Sequence, residues 1–336
     1  MSPGLVASVG MALAFAYTNG VHDAANAIAT LVSTRAARPG PAVALAAVGN
    51  VAGPLLLGTA VASTIAGIVT VQPDQVLPIV GAALTGAVAW NSLTWWRGLP
   101  SSSGHALLGG LVGAALAGGG LSAVDWGGFN GVRPVGVLGV AGVLVVTPIL
   151  SFGLGFALDR AARRSVRRLT DRVRGPVRAG QWLMSQTLAL THGANDAQKA
   201  VGVVALLLVA SGELTHLTAP TWVELLCGTA LTLGTATGGW RIVRTLGRRI
   251  TLVRPIDALA SETCSSGVLL ASSLLGAPVS TSEVVASSVV GLGGGRRRWR
   301  HVRWLLVRSM ILAWLVTAPA SAAMAAVLLW PWRVLA

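Results

Sequence analysis

Polar residues in this chain punctuate long apolar runs, and the punctuation repeats. An apolar run over residues 4–34 is interrupted at Thr18–Asp23 and stops before Arg35, Arg38 and Pro39. A second covers about 41–70 and ends near Gln72-Pro73-Asp74. Two more, 76–98 and about 105–121, flank the hydroxyl-rich break Pro100–Gly104, and a Gly-rich segment with Asp125 leads to a run over about 134–158. The order then recurs: 180–210, again interrupted by polar residues, then 221–240, a pair over 257–293 around Pro278–Glu283, and a last run over 304–330. Runs longer than about 18 apolar residues predict membrane-crossing helices, and the alternation of barrel strands is absent. The pattern therefore predicts an all-α polytopic membrane protein. Each hydroxyl-rich break predicts a helical hairpin, either re-entrant or fully spanning. The interruptions in the first run of each half predict broken helices, with a half-helix starting near His22 and Asp23, where an acidic side chain suits an N-terminus.

The interruptions are copies of one motif. Asn19-Gly20-Val21-His22-Asp23-Ala24-Ala25-Asn26 aligns with His192-Gly193-Ala194-Asn195-Asp196-Ala197-Gln198-Lys199, so that Gly20 meets Gly193, Asp23 meets Asp196 and Asn26 meets Lys199. About 80 residues after each comes a Pro followed by hydroxyls, Pro100-Ser101-Ser102-Ser103 and Pro278-Val279-Ser280-Thr281-Ser282. The chain divides into a first repeat (1–158), a basic linker (159–179) and a second repeat (180–336). Asp159–Arg178 holds eight arginines against two aspartates. With that linker on the cytoplasmic side, Arg35, Arg38, Arg241–Arg254 and Arg296–Arg303 also fall inside, while Asp74, Asp125, Glu213 and both termini fall outside, as positive-inside bias requires. Each hairpin returns to the side it left, so each half crosses an odd number of times. Two similar halves with odd crossings are inverted-topology repeats, an arrangement whose binding site lies at the midplane between them.

Composition agrees. The chain is 53% hydrophobic and 11% charged with mean hydropathy +0.70, against about 25% charged residues in a soluble domain. The net charge of +14 sits in loops between apolar runs without an aromatic basic face, which speaks for a lipid bilayer and against nucleic acid. The first run has no basic leader and reads as a first transmembrane element, not a cleaved signal. Cys227 and Cys264 lie in apolar segments and suggest neither a disulfide nor a metal site. Among the 25 Lys and Arg residues only Lys199 is lysine, a compact charge placed inside the second motif.

Asp23, Asp196 and Lys199, if ionised in mid-membrane, cost together roughly 8–10 kcal/mol on insertion scales. A purely structural alternative, Asp196 pairing with Lys199 and Asp23 with His22, explains neither the duplication nor the hydroxyl clusters. Hydroxyls and helix N-termini at Ser102, Ser103, Ser280, Thr281 and Ser282 suit an oxyanion such as phosphate or sulfate. The two aspartates repel an anion unless cations lie between them, so the site implies cation coupling. One negative charge entering against 100 mV costs about 2.3 kcal/mol, which also demands co-transported positive charge.

At these residues the chain resembles the PiT inorganic phosphate transporters, in particular their bacterial low-affinity branch. Asn19–Thr30 and His192–Lys199 look like that family's paired signatures, and Pro100–Leu107 and Pro278–Glu283 are similar to its hairpin tips. The resemblance covers both halves in order. It implies an inverted-repeat fold, often a homodimer in the cell membrane, moving phosphate with sodium, or with protons as a metal–phosphate complex, and with no resident cofactor. Carried over by position, Asp23 and Asp196 would hold coupling cations, including any metal. Asn26, Asn195, Ser102, Ser103, Ser280 and Thr281 would contact phosphate, and Lys199 would add positive charge. Glu262 matches a glutamate of the family's second half and becomes a candidate proton or cation site; its counterpart in the first half is Leu84, so the role is one-sided. Two positions depart from the family. Gly104 stands where a hydroxyl is usual, and Glu283 stands where histidine is usual.

Three rivals are weaker. Ser103-Gly104-His105 is similar to an element of membrane lipid-phosphate phosphatases, but those enzymes need an upstream Lys with Arg-Pro seven residues on, and the one lysine here, Lys199, lies downstream with no such Arg-Pro after it. A permease for sulfate or another oxyanion shares the expected fold. A passive channel leaves Asp23 and Asp196 without a role.

Overall fold

The computed structural model describes residues 2–99, 101–166, 174–238, 254–295 and 302–335. Among these the first half contains α1 (Pro3–Ser33), α2 (Pro39–Leu57), α3 (Ala60–Ala66), α4 (Pro73–Arg97), α5 (Ser103–Gly119) and α6 (Gly136–Val166). The second half contains α7 (Arg174–Ala210), α8 (Thr221–Gly238), α9 (Pro255–Leu274), α10 (Thr281–Gly295) and α11 (Trp304–Leu335). A two-stranded antiparallel hairpin, β1 (Gly128–Asn130) with β2 (Arg133–Val135), leads into α6. Among the described residues six helices, α1, α2, α4, α6, α7 and α11, are long and apolar enough to cross a membrane.

Local chemistry sets the ends. Pro opens α2, α4 and α9 at positions where its missing N–H costs nothing. Gly98 ends α4 in the left-handed region at φ 67°, which lets the chain turn sharply into the first hairpin tip. Ser102 caps α5 by accepting from the His105 N–H at 3.3 Å. Ser280 caps α10 in the same way, accepting from the Glu283 N–H at 3.4 Å. The two expected hairpins, α4–α5 and α9–α10, are both present with their breaks at the hydroxyl clusters.

The motif helices differ from expectation. Both α1 and α7 run unbroken through their motifs. The motif glycines serve close approach instead. A Cβ on Gly20 would lie 2.0 Å from the Leu231 carbonyl oxygen, and one on Gly193 would lie 2.6 Å from the Asn50 Cα. Gly20 thus lets α8 rest directly on α1, and Gly193 lets α2 rest directly on α7. The polar side chains find partners on other helices, so the backbone ladder has no reason to open. A break does occur in the run expected to be continuous over 41–70: α2 ends at Gly58, φ 76°, and α3 starts at Ala60. The Gln198 side chain bridges it, donating to the Gly58 carbonyl and accepting from the Val61 N–H at 3.0 Å.

Packing exchanges the halves. Helix α2 lies along α7 while α8 lies along α1, and α5 lies along α11 while α10 lies along α6. The core therefore belongs to neither half alone. Of the basic segments, α6 extends through Val166 and α7 starts at Arg174, so the linker's ends are helical; residues 167–173, most of Arg241–Arg254 and most of Arg296–Arg303 fall outside the described residues.

Candidate functional site

Asn19, Asp23, Asn26 and Thr30 follow one another at three- and four-residue steps and share one face of α1. Ser185, His192, Asp196 and Lys199 form the facing stripe of α7. Both stripes are buried. Ligating atoms of Asp23, His192 and Asp196 lie within 4.8 Å of one another, so the two duplicated acids meet at one place. The hairpin tips close over them. From the first tip, Ser103 Oγ donates to Asn19 Oδ1 at 2.5 Å and lies 3.3 Å from Asp23 Oδ2. From the second, Ser282 Oγ donates to Asp23 Oδ1, and Thr281 Oγ1 donates to Asp196 Oδ2 at 2.6 Å. Asp23 is thus held by hydroxyls from both halves.

The two acids are alike in sequence and unlike in charge environment. Asp196 is paired with Lys199, whose Nζ also donates to the Val279 carbonyl at 2.6 Å, and His192 Nε2 lies 3.1 Å away. Among the described residues the hydrogen-bond donors to Asp23 are neutral: Ser103, Ser282, and Asn26 at 2.6 Å. His22 does not pair with it; its Nε2 turns to the Asn91 carbonyl at 2.6 Å. The alignment of Asn26 with Lys199 explains the difference, because only the second motif carries its own cation.

The other sequence-derived residues fall into three groups. Asn26, Ser103, Lys199 and Thr281 join the acids directly. Asn195 clamps the second tip, donating to the Ala277 carbonyl at 3.0 Å and accepting from the Val279 N–H at 3.2 Å. Ser102 and Ser280 hold the tips by capping α5 and α10. Glu262 lies farther along the α1 stripe, where its Oε1 accepts from Thr30 at 2.6 Å and Ser185 at 2.9 Å. Its equivalent, Leu84, is buried in the apolar core. Sequence reasoning passed over Asn19, Thr30, Ser185, His192 and Asn50, the last of which takes a 2.8 Å contact from His192 Nδ1. The helical spacing from Asp23 and Asp196 would have found all but Asn50.

Among the described residues several buried polar atoms at this site lack a protein partner: Asn19 Nδ2, Asn26 Oδ1 and Glu262 Oε2. Buried polar groups are nearly always satisfied, so these atoms are available to an ion or a polar molecule. The set offers donors for an oxyanion (hydroxyls, the Asn19 amide, Lys199) beside acceptors for a cation (Asp23, Asn26 Oδ1).

A family profile described as "Phosphate transporter family" matches residues 19–174 and again 159–325. A Rhizobium meliloti protein named "Probable low-affinity inorganic phosphate transporter" is 42% identical, covering 96% of this chain and 95% of its own length. A Bacillus subtilis protein of the same name is 37% identical over 94% and 93% respectively. A solved structure titled "The sodium-dependent phosphate transporter" superposes with a TM-score of 0.86 at 24% identity, covering 98% of this chain and 99% of the other, a likeness of fold.

Proposed function

The chain belongs to the phosphate transporter family, and on that premise we propose that it imports inorganic phosphate by cation-coupled symport. The observation that carries the coupling is the convergence of Asp23 and Asp196 within 4.8 Å beneath two hydroxyl-bearing tips. Two acids there repel an oxyanion unless positive charge separates them. Lys199 supplies one such charge permanently at Asp196. Asp23 lacks one, so it is the acid that takes the mobile cation, sodium, a proton, or a metal travelling with phosphate. Ser103, Thr281 and Ser282, with Asn19, Asn26 and Lys199, line the oxyanion's place, while Asn195, Ser102 and Ser280 keep the tips in register. Glu262, one stripe away through Thr30, is a second station for the cation.

An inverted pair of repeats is supported by the recurrent element order, by the double match of the family profile and by the exchange of helices between halves. In that arrangement the basic linker is cytoplasmic and both termini are extracellular in the cell membrane. Association as a homodimer follows from the resemblance alone.

The test is uptake of labelled phosphate into liposomes under separately imposed sodium, proton and magnesium conditions. Accumulation should follow one cation gradient and collapse without it. Flux indifferent to every gradient would point to a channel, and strong competition by excess sulfate would move the substrate to the wider oxyanion class. Release of phosphate from a lipid phosphate would turn the reading to the enzyme rival.

A further inference from the structure

The two hairpin tips also meet through a pair of ionisable side chains that the phosphate reading leaves unused. His105 lies on the first turn of α5 and Glu283 on the first turn of α10, and His105 Nδ1 is 3.1 Å from Glu283 Oε1, an ion-pair contact in which neither atom has an aligned hydrogen-bond partner among the described residues. Their side chains are 18% and 3% exposed. Their backbone N–H groups are the ones that Ser102 and Ser280 cap, so the pair occupies equivalent places on the two tips. One residue before Glu283, Ser282 holds Asp23; two residues before His105, Ser103 reaches the same carboxylate. The contact therefore joins the first half to the second immediately beside the site.

On its other side the pair faces a cavity of about 600 Å³ between α6 and α11, walled by apolar side chains such as Leu144, Phe152, Met310 and Trp314. Among the described residues no other ionisable side chain lines that cavity. Among the neighbouring helices, α1 contributes His22 and Asp23, and α7 contributes His192, Asp196 and Lys199, the last with Nζ 3.4 Å from where a Gly104 Cβ would stand. On α9, Glu262 turns to Thr30 and Ser185, and Asp257 lies at the helix start; on α11, Arg308 is exposed. Charges on α4 stand at its ends, Asp74 and Arg97. Within the cluster Lys199 offsets one of the two aspartates. A bare Glu283 carboxylate would add a further negative charge next to the tip hydroxyls, whereas Glu283 and His105 with one added proton are neutral as a unit.

We propose that His105 and Glu283 form a proton-binding site of their own, taking up one proton at the contact between the hairpin tips, and that the oxyanion binds when this proton is present. The site is separate from Asp23, Asp196 and Glu262, and the proposal rests on the phosphate reading. The proton comes from water with the entering anion and returns to water when the anion leaves. Lys199 Nζ lies 3.4 Å from where a Gly104 Cβ would stand, so the neutralising groups, a lysine on one side and a proton on the other, flank the same hydroxyls.

The test is binding of inorganic phosphate to the purified full chain between roughly pH 5.5 and 8.5, the range that brackets ordinary histidine titration. Phosphate's own titration is common to all variants, so ratios between variants cancel it. Glu283→Gln removes the charge that needs the proton. Its affinity should exceed the wild type by on the order of tenfold at the alkaline end and converge with it at the acid end. His105→Gln leaves the carboxylate alone and should bind about tenfold more weakly at neutral pH, recovering in acid. The double variant should behave as Glu283→Gln. A contact that merely positions the tips would change affinity equally at every pH, and that result overturns the proposal, even from Glu283→Gln alone if His105→Gln does not fold. If the wild type binds no phosphate at any pH, the phosphate reading fails. The bound proton is then read separately as a pH-dependent carboxyl infrared band, lost in Glu283→Gln; its absence in the wild type would also overturn the proposal.

Discussion

Asp23 and Asp196 align in sequence and lie close in space, yet neutralising them should have opposite effects on stability. Their ligating oxygens lie within 4.8 Å, at which two unit charges repel by roughly 3.5 kcal/mol at an effective dielectric constant near 20. Asp23→Asn removes that repulsion. The amide keeps the shape, its carbonyl can accept from Ser282 and Asn26, and its NH₂ meets the Ser103 hydroxyl, which can accept. The variant should therefore melt no lower than the wild type, and above it if most of the relief is realised. Asp196→Asn strands the Lys199 ammonium, whose remaining partner is the Val279 carbonyl. Breaking a buried pair from one side costs about 3–5 kcal/mol, so this variant should melt well below the wild type. Lys199→Met should restore most of that loss in the Asp196→Asn background. Both single variants should lose cation-driven uptake. A cation at Asp23 feels an attraction at least as large as the repulsion just given, so Asp23→Asn should weaken its binding by on the order of 10²–10³. Thermal melts in detergent and gradient-driven uptake in liposomes give the two readouts. A destabilised Asp23→Asn, or one that still accumulates phosphate on a cation gradient, would refute the reasoning.

Three further outcomes follow from particular contacts. Gly20→Ala and Gly193→Ala each drive a methyl group into a neighbouring backbone, at 2.0 and 2.6 Å, and should cost about 1–3 kcal/mol or more, seen as a lower yield of monodisperse protein. Gln198→Leu leaves the Gly58 carbonyl and the Val61 N–H unpartnered at the α2–α3 break and should lower the melting midpoint by an amount worth about 1–3 kcal/mol, without touching the acids. Glu262→Gln can still accept from Thr30 and Ser185, so phosphate binding should persist while cation-coupled turnover slows; unchanged turnover would remove Glu262 from the cation's route.

Much of the site was legible because a buried charge is expensive and is kept only where something uses it. Asp23, Asp196 and Lys199 stand out from apolar surroundings, and the two hydroxyl clusters mark the hairpin tips by their Pro and Ser content. Thr30, Ser185 and His192 were equally accessible through the 3.6-residue period, since they continue the stripes of the acids. Asn50 was not, because its link to His192 joins residues of different halves and no spacing rule connects them. The polar interruptions predict a break because polar residues inside a membrane run are expensive unless they find partners, and the motif glycines carry no contact signal in the sequence. Their use as contact surfaces exists only once α8 and α2 lie against them.

The apolar runs alone determined a helical membrane protein in two similar halves, since burying apolar length and satisfying the backbone leave few other solutions in a bilayer. The duplicated motifs marked the buried polar residues that the structure gathers at one place. Folding decided how those residues divide the work. The tips cross over so that Ser103 of one half and Ser282 of the other hold the same carboxylate, Lys199 neutralises one acid and leaves the other bare, and His105 comes to face Glu283. Charge balance depends on distances between segments far apart in the chain, and those distances are a property of packing, which a linear pattern does not carry.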